Sequence, residues 1–137
     1  MPDESKGILW LKYFLIGILM GIIIEVGAAL LRLYDYQPGW VVIIFVLVLW
    51  GAIFGSIALA TRNRGFFVQY IPGFILIFGL EFLNYYILKM WIFSPATFLY
   101  KFTTLQVALA IGFTMGFLAP VINLLMRIFK KLPPGKG

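Results

Sequence analysis

Four long apolar segments constrain the fold of this chain more than any other feature of its sequence. They cover residues 8–31, 40–60, 66–88 and 104–126 of the 137 in the chain. A helix needs about 20 apolar residues to cross the hydrocarbon core of a bilayer, whereas a strand of a membrane barrel alternates over about ten. The sequence therefore predicts an all-α integral membrane protein with four transmembrane helices in a small bundle, residues 1–131 forming its single domain.

Composition narrows the chemistry that such a bundle can perform. Hydrophobic residues make up 63% of the chain and charged residues 12%, and the chain contains neither cysteine nor histidine. These absences exclude disulfides, thiolate nucleophiles and the usual side-chain ligands of zinc, iron–sulfur and haem sites. The sequence predicts no catalytic residue set, no metal and no cofactor. The net charge of +6 indicates contact with anionic lipid headgroups rather than with nucleic acid.

Lysine and arginine are unequally distributed between the two sides of the predicted helices. Three of them fall on one side, namely Arg32, Lys89 and Lys101. The other eight share the opposite side, namely Lys6, Lys12, Arg62, Arg64, Arg127, Lys130, Lys131 and Lys136. Because these residues are enriched in cytoplasmic loops, the bias predicts a multi-pass protein of the cell membrane with both termini in the cytoplasm. Residues 132–137 are expected to form a basic cytoplasmic tail.

Two segments, residues 25–38 and 81–95, show the same features in the same order. Each begins with a glutamate inside an apolar stretch, reaches a cation, and continues as aromatic-x-aromatic-x-Pro. The glutamates are Glu25 and Glu81, and the cations are Arg32 and Lys89. A Gly-x-x-x-Gly pair follows in the next helix of each half. We interpret this order as a duplicated helical hairpin, whose copies a pseudo-two-fold axis along the membrane normal would relate.

Small residues at helical spacing predict where the helices approach one another. Glycines four residues apart occur in three of the four predicted helices, and small residues at this spacing let helix backbones come close together. The glycines expected to lie in helix contacts are Gly17, Gly21, Gly51, Gly55, Gly112 and Gly116.

Polar residues in the predicted spans form a candidate intramembrane pocket. Glu25 and Glu81 fall at similar depth, and burial of an ionised carboxylate in a bilayer costs several kcal/mol unless it is paired or hydrated. The candidate pocket consists of Glu25, Arg32, Glu81, Asn84, Lys89 and Gln106. Aromatic residues are expected at its rim, namely Tyr34, Tyr36, Tyr85, Tyr86 and Trp91. Two interpretations of the glutamates stay open: a structural clamp between helices, or a protonatable or cation-binding site.

Three functions are compatible with these features. The first, which the sequence favours, is an accessory or scaffold subunit that binds membrane lipids and other membrane protein subunits, or a second copy of itself; it needs no catalytic group. The second is a small transporter or channel that uses Glu25 and Glu81 for proton or cation coupling. The third is an enzyme that acts on a lipid or isoprenoid, with one glutamate as general acid. The missing nucleophile and histidine chemistry favours a function other than catalysis.

Overall fold

The computed structural model describes residues 5–36 and 39–131 and is almost entirely helical. Its helices are α1 (Lys6–Leu30), α2 (Trp40–Ala60), α3 (Phe66–Leu83), α4 (Thr104–Met115) and α5 (Leu118–Lys131). A π-helical turn, Asn84–Leu88, extends α3, and a 3₁₀ turn, Phe98–Lys101, precedes α4. Two short strands, β1 (Asp35–Tyr36) and β2 (Trp91–Ile92), lie in the loops after α1 and α3. The expected tail, 132–137, and Pro38 lie outside the described residues.

Four helical segments are long and apolar enough to span a membrane: Lys6–Leu30, Trp40–Ala60, Phe66–Leu88 and Thr104–Lys130. Their bounds follow from local hydrogen bonds. The side chain of Ser5 caps α1 by accepting from the backbone N–H of Ile8 at 3.2 Å, so this helix begins slightly before the predicted 8–31. Thr103 and Gln106 form a reciprocal capping box that fixes the start of α4.

The fourth segment is broken where the sequence predicts one continuous helix. It divides into α4 and α5 at Gly116 and Phe117. Pro120 explains the break, because proline has no N–H to bond the carbonyl of Gly116 four residues earlier and its ring crowds that carbonyl. Tyr70 of α3 approaches the same region, and its hydroxyl donates to the carbonyl oxygen of Phe113 at 2.6 Å.

The helices pack as two hairpins, α1 on α2 and α3 on α4, and α5 contacts all of the first three helices. Glycine brings α1 and α2 into direct backbone contact: a Cβ on Gly17 would lie 2.9 Å from the Cα of Gly51. A Cβ on Gly55 would lie 2.9 Å from the carbonyl oxygen of Tyr13. In the second hairpin, a Cβ on Gly112 would lie 3.2 Å from the carbonyl oxygen of Phe74. Gly21 packs less tightly, against Leu47 and Trp50 side chains.

The loops at one end of the bundle are joined by backbone hydrogen bonds. β1 pairs with β2 in antiparallel register, with Asp35 opposite Ile92 and Tyr36 opposite Trp91. Beyond the strands, the N–H of Phe98 donates to the carbonyl of Arg32 at 2.8 Å. We call this end the sheet end. The opposite end carries the 61–65 turn and the described chain ends; we call it the basic end, because Arg62, Arg64 and Arg127 lie there.

The core fills the bundle from its middle towards the basic end. Its fully buried large side chains include Val46 and Phe54 of α2, Ile77 of α3 and Ile122 of α5. At the basic end a neutral polar contact crosses the helices: the Asn123 amide donates to the carbonyl of Ala58 at 3.0 Å and to Oε1 of Gln69 at 3.1 Å. The side chains that cover the outside of the bundle are mostly large and apolar.

Candidate functional site

Glu25 is held by donors from two other parts of its own hairpin. It lies near the sheet end of α1 and is only 6% exposed. The indole N–H of Trp50, on α2, donates to its Oε1 at 2.8 Å. The hydroxyl of Tyr34, in the loop after α1, donates to its Oε2 at 3.0 Å. Each carboxylate oxygen of Glu25 therefore accepts a hydrogen bond from an aromatic side chain that lies later in the same hairpin.

Tyr34 remains a hydrogen-bond donor over a wide pH range. Burial raises the pKa of its hydroxyl well above that of free tyrosine, and the neighbouring carboxylate of Glu25 raises this pKa further. A tyrosinate at this position would lie buried beside a carboxylate, which is why the neutral hydroxyl is favoured.

Glu81 is more deeply buried than Glu25 but is less completely bonded. It is 3% exposed, and the indole N–H of Trp91 donates to its Oε2 at 3.0 Å. Within residues 5–36 and 39–131, no hydrogen bond reaches its other oxygen, Oε1. Among the side-chain nitrogen and oxygen atoms of the described residues, only Oδ1 of Asn123 is fully buried without a hydrogen-bond partner. Oε1 of Glu81 is not among these atoms, and Glu81 lines an internal space.

That space is a cavity of about 350 Å³, and both glutamates line it. Trp50, Trp91 and Tyr34 also contribute to its walls, so each carboxylate lies there with its aromatic donor. The remaining walls are almost entirely aliphatic, apart from Thr114 of α4, whose hydroxyl already donates to the carbonyl of Ala110 at 3.0 Å. No lysine or arginine is among the described residues that line this cavity.

The cavity is closed at two ends and open at one side. Leu33 and Leu99 line it below the paired loops of the sheet end, and the N–H of Leu99 donates to the carbonyl of Leu33 at 3.2 Å. Towards the basic end its lining stops at Met115, beyond which the packed core begins. The exposed lining residues belong to two helices that do not pack closely on each other: Ile23 of α1 with Leu31 directly after it, and Ala110 and Thr114 of α4. The opening therefore lies between α1 and α4.

Asn84 is fully buried but serves the backbone rather than the cavity. Its amide donates to the carbonyl of Trp91 at 2.8 Å, and its Oδ1 accepts from the N–H groups of Met90 at 2.8 Å and Trp91 at 3.2 Å. Its own carbonyl accepts from the N–H of Lys89 at 2.7 Å, which closes the π-helical turn. Asn84 thus fixes the turn that positions Trp91 over Glu81.

The structure brings together two of the six residues predicted to form one pocket. Glu25 and Glu81 line the cavity, whereas Arg32 and Lys89 are exposed at the sheet end. Both cations adopt the left-handed conformation, with φ of 49° and 50°, because each terminates its helix and turns the chain. Gln106 is exposed, and its side chain accepts from the backbone N–H of Thr103 in the capping box. The helix cap thus engages Gln106 away from the cavity.

Trp50 is the residue that sequence reasoning missed. It lies in the second apolar segment, in which Ser56 is almost the only polar residue. A signal was available, because an indole N–H inside an apolar bundle needs an acceptor and a buried carboxylate is the strongest one at hand. Trp91 and Tyr34 were predicted only as part of the aromatic rim, yet they too bond the carboxylates.

The carboxyl groups of Glu25 and Glu81 are the principal ionisable groups among the residues that line the cavity. Within the described residues, no group of three or more Asp, Glu, His or Cys side chains is placed to hold a metal ion. Comparison of the chain with protein-family models, with curated proteins and with solved structures finds no match.

Proposed function

We propose that the protein is a small integral membrane transport protein that binds a cation or a proton at Glu25 and Glu81. The observation that supports this proposal is that both buried glutamates line one cavity, although they lie in different hairpins. A carboxylate buried in a membrane protein is expensive and usually marks an ion or substrate path. A merely structural role would favour full hydrogen bonding, and Oε1 of Glu81 lacks a bond within the described residues.

The proposed orientation places the basic end in the cytoplasm. The cations at that end outnumber those at the sheet end, as the positive-inside rule requires of cytoplasmic segments. The cavity would then lie in the half of the bundle that faces away from the cytoplasm. Because its lining ends at Met115, transport requires a second conformation in which the packed core separates, so a carrier fits better than an open channel.

An internal duplication is part of the proposal. Arg32 and Lys89, which occupy matching places in the two segments, have nearly the same left-handed φ. Each glutamate accepts a hydrogen bond from the first ring of the aromatic motif that follows it, Tyr34 or Trp91. The paired strands β1 and β2 also come from the two motifs. These correspondences support a common origin of the hairpins.

Flux through proteoliposomes tests the proposed function. The purified protein is reconstituted with a trapped pH dye, and gradients of potassium, sodium and organic monovalent cations are imposed in turn. We expect at least one gradient to drive protein-dependent proton or cation movement, and this flux to be lost in Glu81→Gln and Glu25→Gln. Asp35→Asn is the matched control, because Asp35 is an exposed carboxylate outside the cavity. Flux that is absent, or unchanged by the glutamate substitutions, contradicts the proposal.

The other two functions stay predictions. An accessory or scaffold subunit would place partner proteins or lipids on the apolar outer surface, and no particular contact among the described residues identifies such a partner. If the protein is an enzyme that acts on a lipid or isoprenoid, substitution of Glu25 or Glu81 should abolish formation of its product. Co-purification of a defined partner together with a silent flux assay would favour the first, and a precursor that accumulates in cells without the protein would favour the second.

A further inference from the structure

We infer that the ligand of the cavity is a small lipophilic organic cation that enters from the lipid between α1 and α4. This inference rests on the proposed function, because it assigns a ligand class to the same carboxylates. It goes further in two respects: it separates organic from inorganic cations, and it places the route of access on the side of the bundle rather than at its ends.

The charge of the ligand follows from the lining. Two carboxylates face the cavity, and no described lysine or arginine lines it. Oε1 of Glu81 receives no hydrogen bond from the described residues. An anionic or neutral ligand would leave this oxygen uncompensated in an apolar surrounding, whereas a cation stabilises it directly. The ligand is therefore positively charged.

The organic nature of the ligand follows from the scarcity of oxygen. Inorganic cations need a shell of several oxygen ligands, and Ca²⁺ takes about six to eight. Besides the two carboxylates, the described lining offers only the hydroxyls of Tyr34 and Thr114 as side-chain oxygens. Aromatic rings are plentiful instead: Trp50 and Trp91 line the cavity with their ring centroids 6.1 Å apart. Indole and phenol rings attract ammonium groups electrostatically, so this lining suits an amine or quaternary ammonium.

The route follows from where the cavity is closed. Paired loop backbones cover the sheet end and the packed core closes the basic end. The exposed lining side chains of α1 and α4 are mainly aliphatic. A ligand that passes between them leaves hydrocarbon and enters an aliphatic gap, so it must itself carry an apolar body. A volume of about 350 Å³ is at the small end of the range for ligand pockets and restricts that body to a compact group.

Ligand binding is tested with benzyltrimethylammonium in dodecyl maltoside, a detergent whose headgroup is uncharged. The background variant is Trp10→Phe with Trp40→Phe, which leaves Trp50 and Trp91 as the only indoles of the chain. We expect a saturable change in their fluorescence. Neopentylbenzene, which has carbon in place of the charged nitrogen and nearly the same shape, is expected to bind about tenfold or more weakly. Glu81→Gln is expected to weaken binding of the cation by a similar factor, and Asp35→Asn to leave it unchanged.

The outcomes separate this inference from the proposed function. Equal binding of the cation and its neutral isostere overturns the inference. So does Glu81-dependent flux of sodium or potassium without any binding of the organic cation, although that result leaves the proposed function standing. Displacement of the probe by phosphatidylethanolamine at equal concentration also overturns it, because the occupant would then be a lipid headgroup. Glu81-dependent binding of the charged probe alone supports the inference even where flux is too slow to detect.

The lateral route is tested with a pair of glycine variants. Gly27 lines the cavity on α1, and Gly79 lies on α3 away from it; a Cβ built on either meets no atom within 4 Å. Gly27→Leu places a side chain in the opening, and Gly79→Leu makes the same change of helix composition elsewhere. We expect Gly27→Leu to slow the association of benzyltrimethylammonium about tenfold in stopped-flow fluorescence and Gly79→Leu to leave the association rate unchanged. Equal association rates in the two variants would overturn access between α1 and α4.

Discussion

The two hairpins bury their glutamates in different ways, although their sequences show the same order of features. In the first hairpin, both oxygens of Glu25 accept hydrogen bonds, from Trp50 and from Tyr34. In the second, Glu81 accepts one bond, from Trp91, and no bond from the described residues reaches its other oxygen. The two carboxylates therefore differ in how they are bonded. Both oxygens of Glu25 accept hydrogen bonds, whereas one oxygen of Glu81 accepts none from the described residues.

A single position accounts for much of this difference. Trp50 precedes Gly51 in the second helix of the first hairpin, and Ile111 precedes Gly112 at the matching place in the second. Tryptophan supplies a donor to Glu25, and isoleucine has none to give to Glu81. Both residues line the cavity. The second hairpin therefore contributes an apolar wall where the first contributes a hydrogen bond.

We expect the largest loss of stability when the glycines at the helix–helix contacts within each hairpin are substituted. A Cβ on Gly55 would lie 2.9 Å from the Tyr13 carbonyl oxygen and 3.0 Å from the Phe14 Cα, and backbone cannot yield as a side chain does. Gly55→Ala is expected to lower the free energy of unfolding by about 3 kcal/mol, the upper part of the range for overpacking. Gly112→Ala, with its nearest contact at 3.2 Å, is expected to cost about 1 kcal/mol. Unfolding in detergent measures both, and equal losses would show that the hairpins are closed alike.

We expect the second largest change in the free energy of unfolding when the two glutamates are substituted. Glu25→Gln replaces an acceptor of two bonds with an amide that has a single oxygen, so we expect the free energy of unfolding to fall by about 1–2 kcal/mol. Glu81→Gln removes a buried charge that one bond supports, and we expect the free energy of unfolding to rise by about 1 kcal/mol. The same detergent unfolding assay measures both variants. A Glu81 variant that is less stable than the Glu25 variant would reverse the roles assigned to the two carboxylates.

The smallest effect concerns Tyr34. Tyr34→Phe removes one donor from Glu25 and leaves the Trp50 bond, so we expect a loss of about 1 kcal/mol in the free energy of unfolding, measured by the same unfolding assay in detergent.

Because burial and the neighbouring carboxylate raise the pKa of Tyr34 well above the free value of about 10, its hydroxyl is expected to stay protonated at pH 10. Tyrosinate absorbance of the native and Tyr34→Phe proteins checks this: a difference between them at pH 10 would show that Tyr34 ionises normally.

Apolar length made the four helices predictable, since residues 40–60 and the start of 66–88 agree with the structure to the residue. The break at Gly116 was not expected, because a proline near the middle of an apolar segment is compatible with either a kinked or a divided helix. The loop strands were also missed. Their pairing depends on backbone groups that only the fold brings together, and two-residue strands leave no alternation in the sequence.

The two acidic residues of the candidate site could be predicted from the sequence, but their hydrogen-bond donors could not. An ionisable residue in an apolar segment is conspicuous in sequence, and both glutamates were identified in this way. Arg32, Lys89 and Gln106 were assigned by depth alone, and depth does not reveal which way a side chain turns at a helix end. Trp50 was overlooked because its indole counts as hydrophobic while its N–H acts as a donor.

The loops at the sheet end are joined through their backbones, which determines which of their positions can change in sequence. The bonds from Phe98 to Arg32 and from Leu99 to Leu33 use main-chain N–H and C=O groups. A side chain that is exposed on these loops, such as that of Phe98, can therefore change while the cover over the cavity persists, whereas proline, which lacks the N–H, would break a bond at position 98 or 99. The side chains of Leu33 and Leu99 are constrained instead, because they line the cavity that these loops cover.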